Sequence, residues 1–166
     1  MLKPFFLFFI ILLINGCDKG IAPIPEDERS GFGGTINFIG EWPDGVTRTH
    51  LVVFQNPLNS AADFNAFNLK YLGMEIPFGT SSISYSSLDS ALVSIGPGSY
   101  SYVAVAQSKT PVVSLDRKDW FVVGVYYSAG NTSAPGTLMI PEKSFVSDIN
   151  INCNFNNLPP QPPGGN

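Results

Sequence analysis

The chain has 166 residues, a formal net charge of −4 and only 13 % charged residues, against roughly 25 % in an average globular protein. Binding to nucleic acid wants clustered Lys and Arg, and docking to anionic lipid wants a basic patch; a sparse, mildly acidic charge set argues against both. Polarity comes instead from Ser, Asn, Thr and Gly, which suits an exported β-protein with uncharged faces.

Met1-Leu2-Lys3-Pro4 is followed by ten apolar residues, Phe5 to Ile14. A membrane-spanning helix needs about 20 such residues, whereas runs of ~10–14 suit the hydrophobic region of a secretory signal. The run ends Ile14-Asn15-Gly16-Cys17. This resembles the lipobox of bacterial lipoproteins, an aliphatic residue, a small residue, Gly or Ala, then Cys; Asn15 departs from the usual Ala or Ser. The resemblance implies a diacylglyceryl group on the Cys17 thiol, peptidase cleavage between Gly16 and Cys17, and acylation of the new N-terminus. It therefore implies a lipid bilayer as partner and the bacterial cell envelope as location, with the leaflet open. One acyl chain binds a membrane only marginally, so several are needed for lasting attachment.

Cleavage before Cys17 would leave 150 residues, enough for one domain with its own core and no need of disulfides. Once Cys17 carries lipid, Cys153 has no intramolecular partner. It shares strand parity with Ile149 and Ile151, which reads as a small buried apolar residue. An intermolecular disulfide, a metal or a reactive thiol are the alternatives; no further cysteine or nearby histidine supports a metal.

Residues 17–32 read as the lipidated cysteine and a tether. The prolines, acids and glycines of 18–32 have no period and little to bury, and a flexible chain of that length spans roughly 20 Å. Ile36 and Phe38 then alternate with polar neighbours as a strand, and Pro43-Asp44-Gly45 is a turn. Arg48–Asn56 reads as a second strand, apolar on both faces near Val52–Phe54 and hence central. Residues 57–79 read as an excursion with one or two helical turns, Ser60 capping and Ala61, Phe64 and Phe67 at helical spacing. Residues 81–88 predict an edge strand. Residues 90–95 and 99–109, about Gly96-Pro97-Gly98, predict a hairpin in which Tyr100 and Tyr102 share a face. Residues 119–131 predict a central strand and 136–141 a short one. Residues 143–155 predict a closing strand with Ile149, Ile151, Cys153 and Phe155 inward. The tail, 158–166, is rich in Pro and Gly and reads as polyproline-like or disordered.

About seven mainly antiparallel strands without a long helix predict an all-β chain with a single β-sandwich over residues 33–157. Pro97-Gly98-Ser99-Tyr100, followed by the alternating run Tyr102–Gln107, resembles the corner of transthyretin-like and carboxypeptidase-regulatory-like (Cna-B-like) sandwich modules; Gly33–Gly40 with Trp42-Pro43 resembles their first strand. The resemblance implies a stiff binding or spacer module, usually without catalysis.

Enzyme chemistry finds little support. His50 is the lone histidine, inside a strand, and no G-x-S-x-G motif is present for a nucleophile. Asp116 and Asp119 lie in a turn with too few oxygen ligands for calcium, and Gly96–Ser99 lacks the lysine of a phosphate loop. The few acids lie near strand ends, so a hydrolase is the weakest alternative. No catalytic residue, metal site or cofactor is expected. A non-enzymatic envelope module with a protein or glycan partner is the leading expectation. A carbohydrate-binding module using exposed aromatics, with Trp42 and Trp120 as contact residues, is the second.

Overall fold

The computed structural model describes residues 28–129 and 131–165. Residues 1–27, with the expected signal peptide, Gly16, Cys17 and most of the expected tether, lie outside them. The described chain is all-β, with eleven strands and no α-helix among the described residues.

One sheet is built around β1 (Gly31–Ile39). β4 (Ser82–Ser86) pairs antiparallel along one side of it, while β10 (Phe145–Val146) and β11 (Ile151–Asn154) pair parallel along the other. The second sheet runs β5 (Ala91–Val93), β3 (Leu69–Gly73), β2 (Arg48–Phe54), β7 (Tyr102–Ser108), β8 (Trp120–Val125), with every pair antiparallel. A ribbon of β6 (Gly98–Tyr100) and β9 (Leu138–Ile140) completes the fold.

The period-two alternation sets the layers. Phe32, Ile36, Phe38, Ile151 and Cys153 of the first sheet meet Leu51, Val53, Val103, Val105 and Val123 of the second in one buried core; opposed inner faces of two sheets are what define a β-sandwich. Residues of the other parity in the second sheet, Val52, Phe54, Tyr102, Ala104 and Ala106, form a second cluster on its outer face with Leu58 and Trp120. The second sheet is therefore covered on both sides, as the apolar run at Val52–Phe54 predicts. In β8 a bulge interrupts the register opposite Val105 and Ala106. Gly124 faces the first sheet there: a Cβ on it would sit 2.5 Å from the Cys153 Sγ and 2.8 Å from Ile151 Cγ2. No other residue fits between the sheets at that point.

Several elements differ from expectation. Residues 57–79 hold only a three-residue 3-10 turn, Ala61–Asp63; the Asp63 carboxylate accepts from the backbone N–H groups of Asn59 and Ser60. The same stretch supplies β3, beside β2. Phe64 packs inward but Phe67 is 90 % exposed, so the aromatic spacing marked no helix face. The hairpin about Gly96–Gly98 does not form. β5 pairs with β3, β6 with β9, and β7 enters the sheet between β2 and β8. The break at Ser101 puts Tyr100 in the inter-sheet core and Tyr102 in the outer cluster. β8 is buried on both faces yet lies at the hydrogen-bonded end of its sheet. Its free edge is covered by residues expected to be a loose tail: the Gln161 side chain accepts from Val122 N–H and donates to Val122 C=O, each at 2.8 Å.

Candidate functional site

Antiparallel pairing leaves alternate residues of an edge strand with unused main-chain groups. In β4 the flanking bonds Phe38 N–H to Ser81 C=O and Ser87 N–H to Phe32 C=O fix which residues serve β1. By alternation, Ser82, Ser84 and Ser86 turn their N–H and C=O groups outward. That free edge faces the segment Gly73–Ile76 that follows β3 on the opposite sheet. Between them the sandwich is open, and a cleft of about 590 Å³ enters the core, within the ~300–1,000 Å³ range of small-ligand sites.

Ile36, Leu51 and Ile83 contribute the apolar floor of this cleft, Met74 and Ile76 one wall, and Leu88, Asp89 and Ser90 the rim. Two tyrosines line it. Tyr85 donates to the Ile149 carbonyl at 2.6 Å, and burial raises its phenol above the usual range. Tyr71 is only 3 % exposed, packs edge-on against Phe32 with centroids 5.4 Å apart, and has no hydrogen-bond partner for its hydroxyl among the described residues. Burial first, and the Asp89 carboxylate second, raise its pKa. Glu75 is ion-paired with Arg48. No Lys, Arg or His lines the cleft.

The residues singled out from sequence lie elsewhere. Trp42 is half-buried at one end of the sandwich; its indole N–H donates to the Thr80 carbonyl at 3.0 Å, and its ring packs with Phe38, Phe78 and Phe155 at centroid distances of 4.7, 5.2 and 5.4 Å. Trp120 is buried in the outer cluster and donates to the Ser114 carbonyl at 2.8 Å. Trp42 thus packs against the inter-sheet core and Trp120 belongs to the outer cluster, so the two form no shared platform. The exposed member of the Trp42 group is Phe78.

His50 is 1 % exposed. Its Nδ1 lies 2.9 Å from the Gly73 carbonyl, which requires Nδ1–H to donate and leaves Nε2 without a partner. Burial lowers its pKa. Gln107, opposite Thr49 on β2, is also fully buried and its amide has no partner. Cys153 is a free, fully buried thiol whose pKa burial pushes up to about 12, which removes the thiolate that nucleophilic or redox chemistry needs. Asp116 and Lys118 pair at 3.0 Å on the surface, while Arg117 turns inward, donating to the carbonyls of Trp120 and Pro162. Among the described residues no group of three or more His, Cys, Asp or Glu is placed to hold a metal. The cleft escaped sequence reading because its Tyr71 and Glu75 lie on and just after β3, inside the stretch read as an excursion. Comparison with protein-family models, with curated proteins and with solved structures finds no match to this chain.

Proposed function

We propose that this protein is a lipid-anchored component of the bacterial cell envelope whose β-sandwich is a non-enzymatic binding or structural module. The anchor rests on the lipobox-like Ile14-Asn15-Gly16-Cys17 behind a ten-residue apolar run. β1 begins at Gly31, so the segment from Asp18 to Ser30 is available as a spacer between lipid and domain. The observation that carries the non-enzymatic reading is the fate of the two best chemical groups in the chain. The His50 imidazole and the Cys153 thiol are both sealed in packing, away from the cleft. The cleft itself offers hydroxyls, main-chain groups, the Asp89 carboxylate and a Glu75 carboxylate already paired with Arg48, a set suited to hydrogen-bonding a ligand.

The likeness to transthyretin-like and Cna-B-like modules is consistent with this reading. Its Pro-Gly-x-Tyr corner has a physical role here, since the Tyr100 hydroxyl donates to the Gly96 carbonyl at 2.7 Å and ties the turn to the strand that follows.

The anchor is tested by Cys17→Ser. The variant is expected to lose incorporation of labelled fatty acid and to move from the membrane to the soluble fraction. Retention of the variant in washed membranes would overturn the proposal.

A further inference from the structure

The cleft between β4 and the Gly73–Ile76 segment has a polar inventory with a definite complement. The ring of Tyr71 is buried, but its hydroxyl is not among the buried unpartnered groups; it lines the cleft with no protein hydrogen-bond partner among the described residues and is open to a ligand there. At the rim the Asp89 carboxylate has neither an ion pair nor a hydrogen-bond partner among the described residues. Along one side run the outward main-chain groups at Ser84 and Ser86, donors and acceptors alternating at strand spacing. The floor between these groups is aliphatic. A ligand that satisfies all of them carries several hydroxyls around an apolar ring face. Glu75 is paired with Arg48, the Asp89 carboxylate is unpaired and no cation lines the cleft, so an anionic ligand meets repulsion at Asp89.

We infer that this cleft, framed by Tyr71, Asp89 and the free edge of β4, binds an uncharged sugar as a short oligosaccharide. Its hydroxyls are met by the Tyr71 hydroxyl, the Asp89 carboxylate and the β4 main chain, and its ring face lies on the Ile36–Ile83 floor. The inference rests on the non-enzymatic reading above and moves the sugar site away from the tryptophans. An extended peptide added to β4 would use the same main-chain groups but leave Tyr71 and Asp89 without a partner unless its side chains supplied one. The sugar accounts for all three features.

The test uses the full chain purified in detergent, on an array of neutral oligosaccharides built from glucose, galactose, mannose and N-acetylglucosamine, with uronate oligosaccharides beside them. Titration calorimetry on the hits gives affinities. Neutral glycans are expected to bind and uronates to fail. Tyr71→Phe, which removes only the hydroxyl, is expected to weaken binding about fivefold, and Asp89→Asn about tenfold or more, as expected for a neutral and a charge-assisted hydrogen bond. Phe78→Ala, which deletes the exposed aromatic at the Trp42 end, is expected to bind as the parent does. Unchanged thermal melting of Tyr71→Phe and Asp89→Asn keeps the comparison free of folding effects. Silence across the neutral glycans, equal binding of uronates, or binding indifferent to both variants would overturn the inference. So would a peptide ligand that protects the Ser84 and Ser86 amides from hydrogen exchange while the glycans stay silent. Cleavage of a bound oligosaccharide would instead overturn the non-enzymatic reading and leave the ligand class standing. Membrane retention of Cys17→Ser would overturn the anchor and leave the cleft untouched.

Discussion

His50 shows how a titratable side chain becomes a structural one. The neutral ring is held by one bond from Nδ1–H to Gly73, its centroid lies 6.0 Å from that of the Trp120 ring, and its Nε2 is buried without a partner. A second proton would have to sit on Nε2, where nothing accepts from it. The nearest charges, Glu75 and Arg48, act on the ring in opposite directions and are paired with each other, so desolvation dominates and the folded-state pKa lies below 6.5. The unfolded chain then binds more protons than the folded one below about pH 6.5, where an exposed histidine titrates. The stability that His50 contributes is complete above that pH and is lost as pH falls through the unfolded value towards the folded one. Urea midpoints are expected to be flat from pH 8 to about 7 and to decline from about 6.5 to 5, above the range of ordinary carboxylates. His50→Gln keeps a donor for Gly73 and cannot titrate, so its profile is expected to be flat over the same interval. An equally steep decline in that variant would assign the effect to another group.

Elements in this fold are placed by what covers their edges as much as by their own patterns. β8 is the clearest case. Its run from Trp120 to Val125 alternates into two apolar clusters, so burial on both faces was readable in the sequence. Its position at the end of the ladder was not, because the missing neighbour is replaced by one side-chain amide from residue 161. Around that amide the tail is held by Arg117, which donates to Pro162 and lies over the Phe64 ring at 5.9 Å. Gln161→Ala removes both bonds and leaves the Val122 amide and carbonyl without partners. The expected cost is about 1–3 kcal/mol, with the Val122 amide changing from slow to fast hydrogen exchange while Leu51–Val53 in β2 stay protected. Continued protection of Val122 in the variant would show that the tail does not seal this edge. The same contrast explains the other elements. Ile36, Phe38, Ile149, Ile151 and Cys153 were legible as inward residues because strand parity is local and strict. β3 was hidden because Leu69–Gly73 is short and follows an aromatic spacing that imitates a helix. The Gly96–Gly98 corner looked like a hairpin because alternation on either side of a turn does not say which strand each run joins; that choice is made by β3, β9 and β2, far apart in sequence. The cleft was invisible for the same reason, being made by two strand edges that meet only in the fold.

At the scale of the whole molecule, the packing of the described residues is centred on β1 and the two clusters. β1 is the inner strand of its sheet, bonded to β4 on one side and to β10 and β11 on the other. The inter-sheet core draws on residues from Phe32 to Cys153, and the tail closes the far edge at Gln161. Among the described residues, both clusters are built from residues Phe32 to Phe155, and a cut within residues 18–27 leaves all of these in place. Domains with a core of this kind fold as cooperative units, so the proposed attachment to lipid is expected to add location without adding stability. A recognition site for a sequence-specific protease inserted between Gly20 and Ile21 tests this. Cleavage of the protein in membranes is expected to release the domain into solution with the melting temperature of the uncleaved chain and undiminished affinity for any glycan found on the array. If the released domain melts lower, residues before Glu28 contribute to the fold. If it stays on the membrane after complete cleavage, the domain has a second membrane contact, and the exposed apolar residues Val112, Val113 and Leu115 in the loop after β7 are the first place to substitute polar side chains.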